Sequence, residues 1–211
     1  MHGATLVRRR GGRLRGGGSV RRVEQTVVLQ GGGPFTANDA LDSEMLRALT
    51  GPVAILPTAD ALERPDDLLR AAGEWASRHG ATVVPCPVYV RSDALDDANA
   101  RIIRGASAVW IVGDSPIHLR STVMNTPVFE AVAACPLVVA VAGSAAAACD
   151  PMVDPRGGAF ALGLGLVRGL ALVTESEKWA RERLQRSLHL ANTPVVELPT
   201  GAALVRRGGT W

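Results

Sequence analysis

The stretch VVAVAGSAAAACDPMVDPRGG, residues 138–158, decides the fold. Its first residues run apolar without alternation into Ala142 and Gly143, and Ser144 and four alanines follow. A strand covered by helices on both faces reads this way, because it has no solvent side to alternate toward. The small residues after it let the chain turn sharply into a helix. Such a turn can expose a serine nucleophile, and Ser144 stands just beyond it. The other reading of Ser144 is a helix N-cap, whose hydroxyl satisfies one of the first free N–H groups.

Working outward, strand-like and helix-like patterns alternate. Strands are predicted at 26–30, 53–56, 81–84, 108–112 and 137–142, with weaker candidates at 170–174, 194–198 and 202–205. Helical spacing predicts helices at 39–49, 65–78, 96–104, 126–134 and 175–189. Pro65 suits a first helical turn, and Gly80 suits a stop. The expectation is an α/β fold: a doubly wound, mostly parallel sheet with helices on both faces, in a Rossmann-like three-layer sandwich. Ligands of such sheets bind beyond the carboxyl ends of the strands. That singles out residues 31–34, 57–60, 113–118 and 143–147.

The chain has 211 residues and 22.1 kDa, which suits one hydrophobic core. Residues 1–22 carry seven arginines and no acid, so taking those seven from the formal +3 leaves −4 for the remainder. We expect residues 1–24 to be a disordered Arg/Gly-rich tail and residues 25–211 to form the α/β domain. The tail lacks the interleaved aromatics that would add base stacking, so nucleic acid is not the expected partner. No stretch reaches membrane-spanning length, and no apolar export segment follows the arginines. Cys86, Cys135 and Cys149 show no metal-ligand spacing and read as reduced thiols of a cytoplasmic protein. No metal or cofactor is expected. Gly31-Gly32-Gly33 matches neither common nucleotide motif and reads first as a tight turn.

Gly113 and Asp114 end a strand with small, turn-prone residues whose N–H groups suit an oxyanion hole. His118 and Arg120 follow within reach of the same mouth. His118 reads equally well as a residue at a helix start making a local hydrogen bond. A reactive serine needs an oriented base, and the remaining histidines, His2, His79 and His189, lie in the tail or at helix ends.

The motifs VVLQGGGP, AILPTADALERP, AVWIVGDSPIHLRS, DPMVDPRGGAFALGLGLV and GAALV together resemble the cyanophycinase and dipeptidase E (aspartyl dipeptidase) group of serine peptidases. The resemblance spans roughly residues 27–207 and implies a class I glutamine amidotransferase-like fold. It also implies an ancestral hydrolysis of a small peptide or isopeptide bond. An ungapped comparison places Ala142 at the family's serine, whereas a two-residue shift places Ser144 there. Where the family carries its histidine this chain has no histidine, and Glu177 stands near that place. The arginines that follow, Arg181, Arg183 and Arg186, keep the family's spacing. The resemblance therefore points to a degenerate member, with triad activity lost or strongly reduced. A residual reaction would use Ser144, with His118 as base and Asp154 or Glu177 orienting it. The alternative is a non-catalytic module that binds a small peptide-like or acidic ligand, with Arg120 and Arg156 pairing to its carboxylate or phosphate. A homodimer is compatible with either reading.

Overall fold

The computed structural model describes residues 25–211; the Arg/Gly-rich tail expected at 1–24 lies outside the described residues. Five strands run parallel in the main sheet: β1 (Thr26–Gln30), β2 (Val53–Leu56), β3 (Val83–Pro85), β4 (Ala108–Ile111) and β5 (Leu137–Val141). Four two-residue strands follow, β6 (Cys149–Asp150), β7 (Met152–Val153), β8 (Phe160–Ala161) and β9 (Val167–Arg168). They pair as β6 with β9 and β7 with β8. Strands β10 (Ala171–Thr174) and β11 (Val195–Leu198) form a parallel pair of their own, and β12 (Ala203–Arg207) closes the main sheet antiparallel to β1. The order across the main sheet is β12-β1-β5-β4-β2-β3.

The helices are α1 (Asp39–Arg47), α2 (Pro65–Arg78), α3 (Arg91–Leu95), α4 (Asp97–Arg104), α5 (Pro116–Val123), α6 (Pro127–Ala134), α7 (Gly143–Ala148) and α8 (Arg181–Leu190). All five residues of β5 are buried, because both faces of the sheet are covered. Val28, Val139 and Trp110 pack toward α1 and α2, against Met45, Leu46, Ala72 and Trp75. Val27, Leu29, Val138 and Ala140 pack the other way, toward α4, α6 and α7, against Ile103, Val132 and Ala145. The expected doubly wound, three-layer α/β architecture is the one observed.

Local differences have local causes. The helix expected at 175–189 is broken into a 3₁₀ turn, Ser176–Lys178, and α8. Glu175 is left-handed at φ 47, and extended backbone at Trp179 and Ala180 separates the two pieces. The indole N–H of Trp179 donates to the Thr174 carbonyl at 3.1 Å, which ties the break down. Helix α5 had no clear apolar stripe, and Pro116 at its first position starts it. The first strand residues expected at 81–82 are replaced by a start at Val83.

One buried charge lies between β1 and α1. Asp42 is 0% exposed, and the Gln30 amide donates to its Oδ1 at 2.6 Å. Burial pushes its carboxyl above the usual range, against the pull of that hydrogen bond. The folded state thus holds this proton more tightly than the unfolded chain does. Stability from the group is present in acid and is lost as pH rises through the raised value. Asp42→Asn has no such titration. Urea midpoints measured at about pH 4 and about pH 7 should therefore move in favour of the variant as pH rises.

Candidate functional site

Four strand ends meet at the carboxyl edge of the main sheet. After β5, Ala142 takes φ 56 and ψ −127, a conformation that costs a non-glycine residue strain. Its N–H donates to the Gln30 carbonyl, and its own carbonyl accepts from the N–H groups of Ala145 and Ala146. Ala142 is thus the sharp strand-to-helix turn itself. After β4, Gly113 sits at φ 121, and a Cβ there would lie 2.5 Å from the backbone of Ala59 and Asp60. Gly143 is equally confined, since a Cβ would meet the Asp114 backbone at 2.6 Å. After β1, Gly31 packs on the Pro199 carbonyl and donates to the Ala202 carbonyl at 2.9 Å. Gly31 is therefore set by close backbone packing against the chain that leads into β12.

These ends frame a cleft of about 380 Å³ lined by Phe35, Asp60, Leu68, Asp114, Ala142 and Glu175, among others. The lining combines apolar side chains with carboxylates. Burial pushes Asp114 above the usual carboxylate range, and repulsion from Glu175 and Glu63 adds to it; the Gly143 N–H and Lys178 pull the other way. Asp60 is raised by burial, then by Glu63 and Asp114. Arg64 also lines the cleft but pairs with Asp67 at 3.5 Å on the surface. A second hollow, of about 440 Å³, lies at the amino ends of β2 and β3 around Val53, His79 and Thr82. It is at the wrong edge of the sheet for ligand chemistry of this fold.

The residues singled out from sequence are not gathered in the cleft. Ser144 is 0% exposed, and both its N–H and its Oγ donate to the Gly113 carbonyl, at 3.0 and 3.2 Å. His118 Nε2 lies 2.9 Å from the Tyr89 carbonyl and has no hydrogen bond to Ser144. Asp154 closes its own turn between β7 and β8, accepting the Arg156 N–H at 3.0 Å. Glu177 is bound to Thr200, whose N–H and hydroxyl both donate to it, and this holds its carboxyl below the usual range. Arg120 donates to the Gly163 carbonyl at 3.2 Å, and Arg156 is exposed in the hairpin turn. Only Gly113 and Asp114 of that set line the cleft.

Asp60 lies in the strand-end segment 57–60, where no chemical pattern marks it, and Glu175 lies inside the stretch expected to be helical. Its signal was its place immediately after the β10 strand, hidden by the expectation of a continuous helix. The three cysteines are all buried, with Cys86 and Cys149 pushed up to about 12 by burial, so none is a nucleophile at neutral pH. Among the described residues, no three His, Cys, Asp or Glu side chains are grouped to hold a metal ion. None of their helices is long and apolar enough to cross a membrane.

The same arrangement of strands and helices occurs in solved structures. A peptidase from an acI-B1 Actinobacterium matches with a TM-score of 0.78 at 20% identity, over 89% of this chain and 85% of that one. A candidate peptidase E protein from Listeria monocytogenes EGD-e matches with a TM-score of 0.64 at 14% identity, over 88% of this chain and 95% of that one. The fold is peptidase-like. At these identities the likeness is of fold alone. No family model matches the chain, and no curated protein does.

The residue at the turn between β5 and α7 is Ala142, whose side chain is a methyl group.

Proposed function

We propose that this chain is a member of the cyanophycinase and dipeptidase E group that no longer performs serine-hydrolase chemistry. It keeps the cleft as a binding site for a small cationic ligand. One observation carries the reading: the residue at the strained strand-to-helix turn is Ala142, while the neighbouring serine is buried with its hydroxyl on a carbonyl. A covalent acyl intermediate needs a hydroxyl facing the substrate and a base beside it. Ala142 supplies no hydroxyl, and no histidine lines the cleft. The register that aligns Ala142 with the family's serine is the one this conformation supports.

The ligand's charge follows from the lining. Asp60, Asp114 and Glu175 line the cleft together with Phe35 and Leu68, and Asp60 and Asp114 are raised first by burial and then by neighbouring carboxylates. An ammonium or guanidinium group with an apolar body relieves that repulsion. An acidic ligand held by Arg120 and Arg156 has no support, since neither arginine lines the cleft.

A fluorophosphonate probe applied to the purified protein tests the loss of chemistry. Neither the parent nor Ser144→Ala should be labelled. Labelling of the parent that disappears in Ser144→Ala would overturn the reading and restore Ser144 as a nucleophile.

A further inference from the structure

We propose that Lys178 is a tethered ammonium that competes for the cleft's carboxylates, so that a cationic ligand enters by displacing it. The proposal rests on the reading of the cleft as a cation site.

Lys178 is the only lysine in the chain. It ends the short 3₁₀ turn that begins beside Glu175, and its N–H donates to the Glu175 carbonyl at 2.8 Å. That turn folds the side chain back, and Nζ reaches Glu175 Oε1 at 2.6 Å. The two partners are unequal. Glu175 is 26% exposed and lines the cleft, whereas Lys178 is 64% exposed and lies outside it.

The carboxylate is the fixed member of the pair. The Glu175 N–H donates to the Gly31 carbonyl at 3.0 Å, and a Cβ on Gly32 would come within 2.7 Å of Glu175 Cγ. The ammonium is the movable member, on a flexible four-carbon stem with rotatable donors. Arginine in its place would grip the carboxylate with a planar fork and release it less readily. The hydrogen bond and charge of Glu175 first, and then Glu177 and Asp114, favour the charged form of Lys178. An exposed ion pair of this kind is held weakly, because solvent screens it and both side chains lose freedom in forming it. A cationic ligand that also covers Phe35 and Leu68 can therefore exchange with it.

Because the chain has one lysine, reductive ¹³C-methylation labels Lys178 and the amino terminus alone, which makes the displacement visible by NMR. Benzylammonium serves as the probe and benzoate as its charge-reversed control. Saturable movement of the Lys178 signal with benzylammonium, and none with benzoate, is the expected result. Lys178→Gln should bind benzylammonium about two- to five-fold more tightly. Lys178→Arg should not gain affinity, and Glu175→Gln should lose it. If benzylammonium binds while the Lys178 signal stays still and Lys178→Gln has the parent's affinity, the proposal falls and the cation-binding cleft stands. If benzylammonium binds neither the parent nor Lys178→Gln, both fall together.

Discussion

Gly113→Ala should cost about 3 kcal/mol of stability and distort the cleft. Two penalties act at once. The backbone at φ 121 lies where side chains other than hydrogen are strained. The added methyl would also sit 2.5 Å from the carbonyl carbon of Ala59 and the nitrogen of Asp60, which are backbone atoms and cannot rotate away. Relief requires the β2 and β4 ends to separate, and Asp60 and Asp114 separate with them. For a domain of this size the loss corresponds to a fall of about 10 °C in Tm. Thermal unfolding followed by circular dichroism measures it. Gly73→Ala is the matching control: it lies in α2 with nothing within 4 Å of the new methyl, and a helical alanine there should stabilise by about 0.5–1 kcal/mol. A Gly113→Ala protein as stable as the parent would show that the strand ends are not packed as described.

Trp75→Ala should cost about 3–5 kcal/mol. The indole is fully buried and stands at the centre of an aromatic group, 5.2 Å from both Phe35 and Trp110 and 5.9 Å from the His79 ring. These tilted and edge contacts add to the area that the ring removes from water. Trp75→Phe keeps a ring in the same place and should cost far less. The comparison separates loss of volume from loss of any single polar contact. Urea unfolding of the three proteins measures it. Phe35 is shared between this group and the cleft wall, so Trp75→Ala should also weaken any ligand held there.

The apolar, non-alternating run from Leu137 to Val141 announced a central strand, and the structure places it between β1 and β4. Pro65 and the spacing of Leu68, Ala72 and Trp75 announced α2 to the residue. These features are written in short-range preferences: which residues can be buried together, and where a helix can begin. The elbow was legible as a place but not as a function. Nothing in AVAGSAA says that Ala142, and not Ser144, takes the positive φ, because that choice is made by Gln30, Gly113 and Asp114 packing around it. Glu175 was illegible for a related reason. A single left-handed residue after β10 breaks the expected helix and turns a carboxylate toward Asp114, which lies far away along the chain.

By itself, then, the sequence determined the layered α/β fold and the edge of the sheet where a ligand would be sought. Periodicity and turn residues act over a few positions, and every copy of the pattern carries them. Tertiary structure alone decided which side chain occupies the turn between β5 and α7, which hydroxyl is buried, and which carboxylates face one another. Those outcomes depend on where four separate strand ends meet, and the contacts between them are set by the packing of the whole sheet.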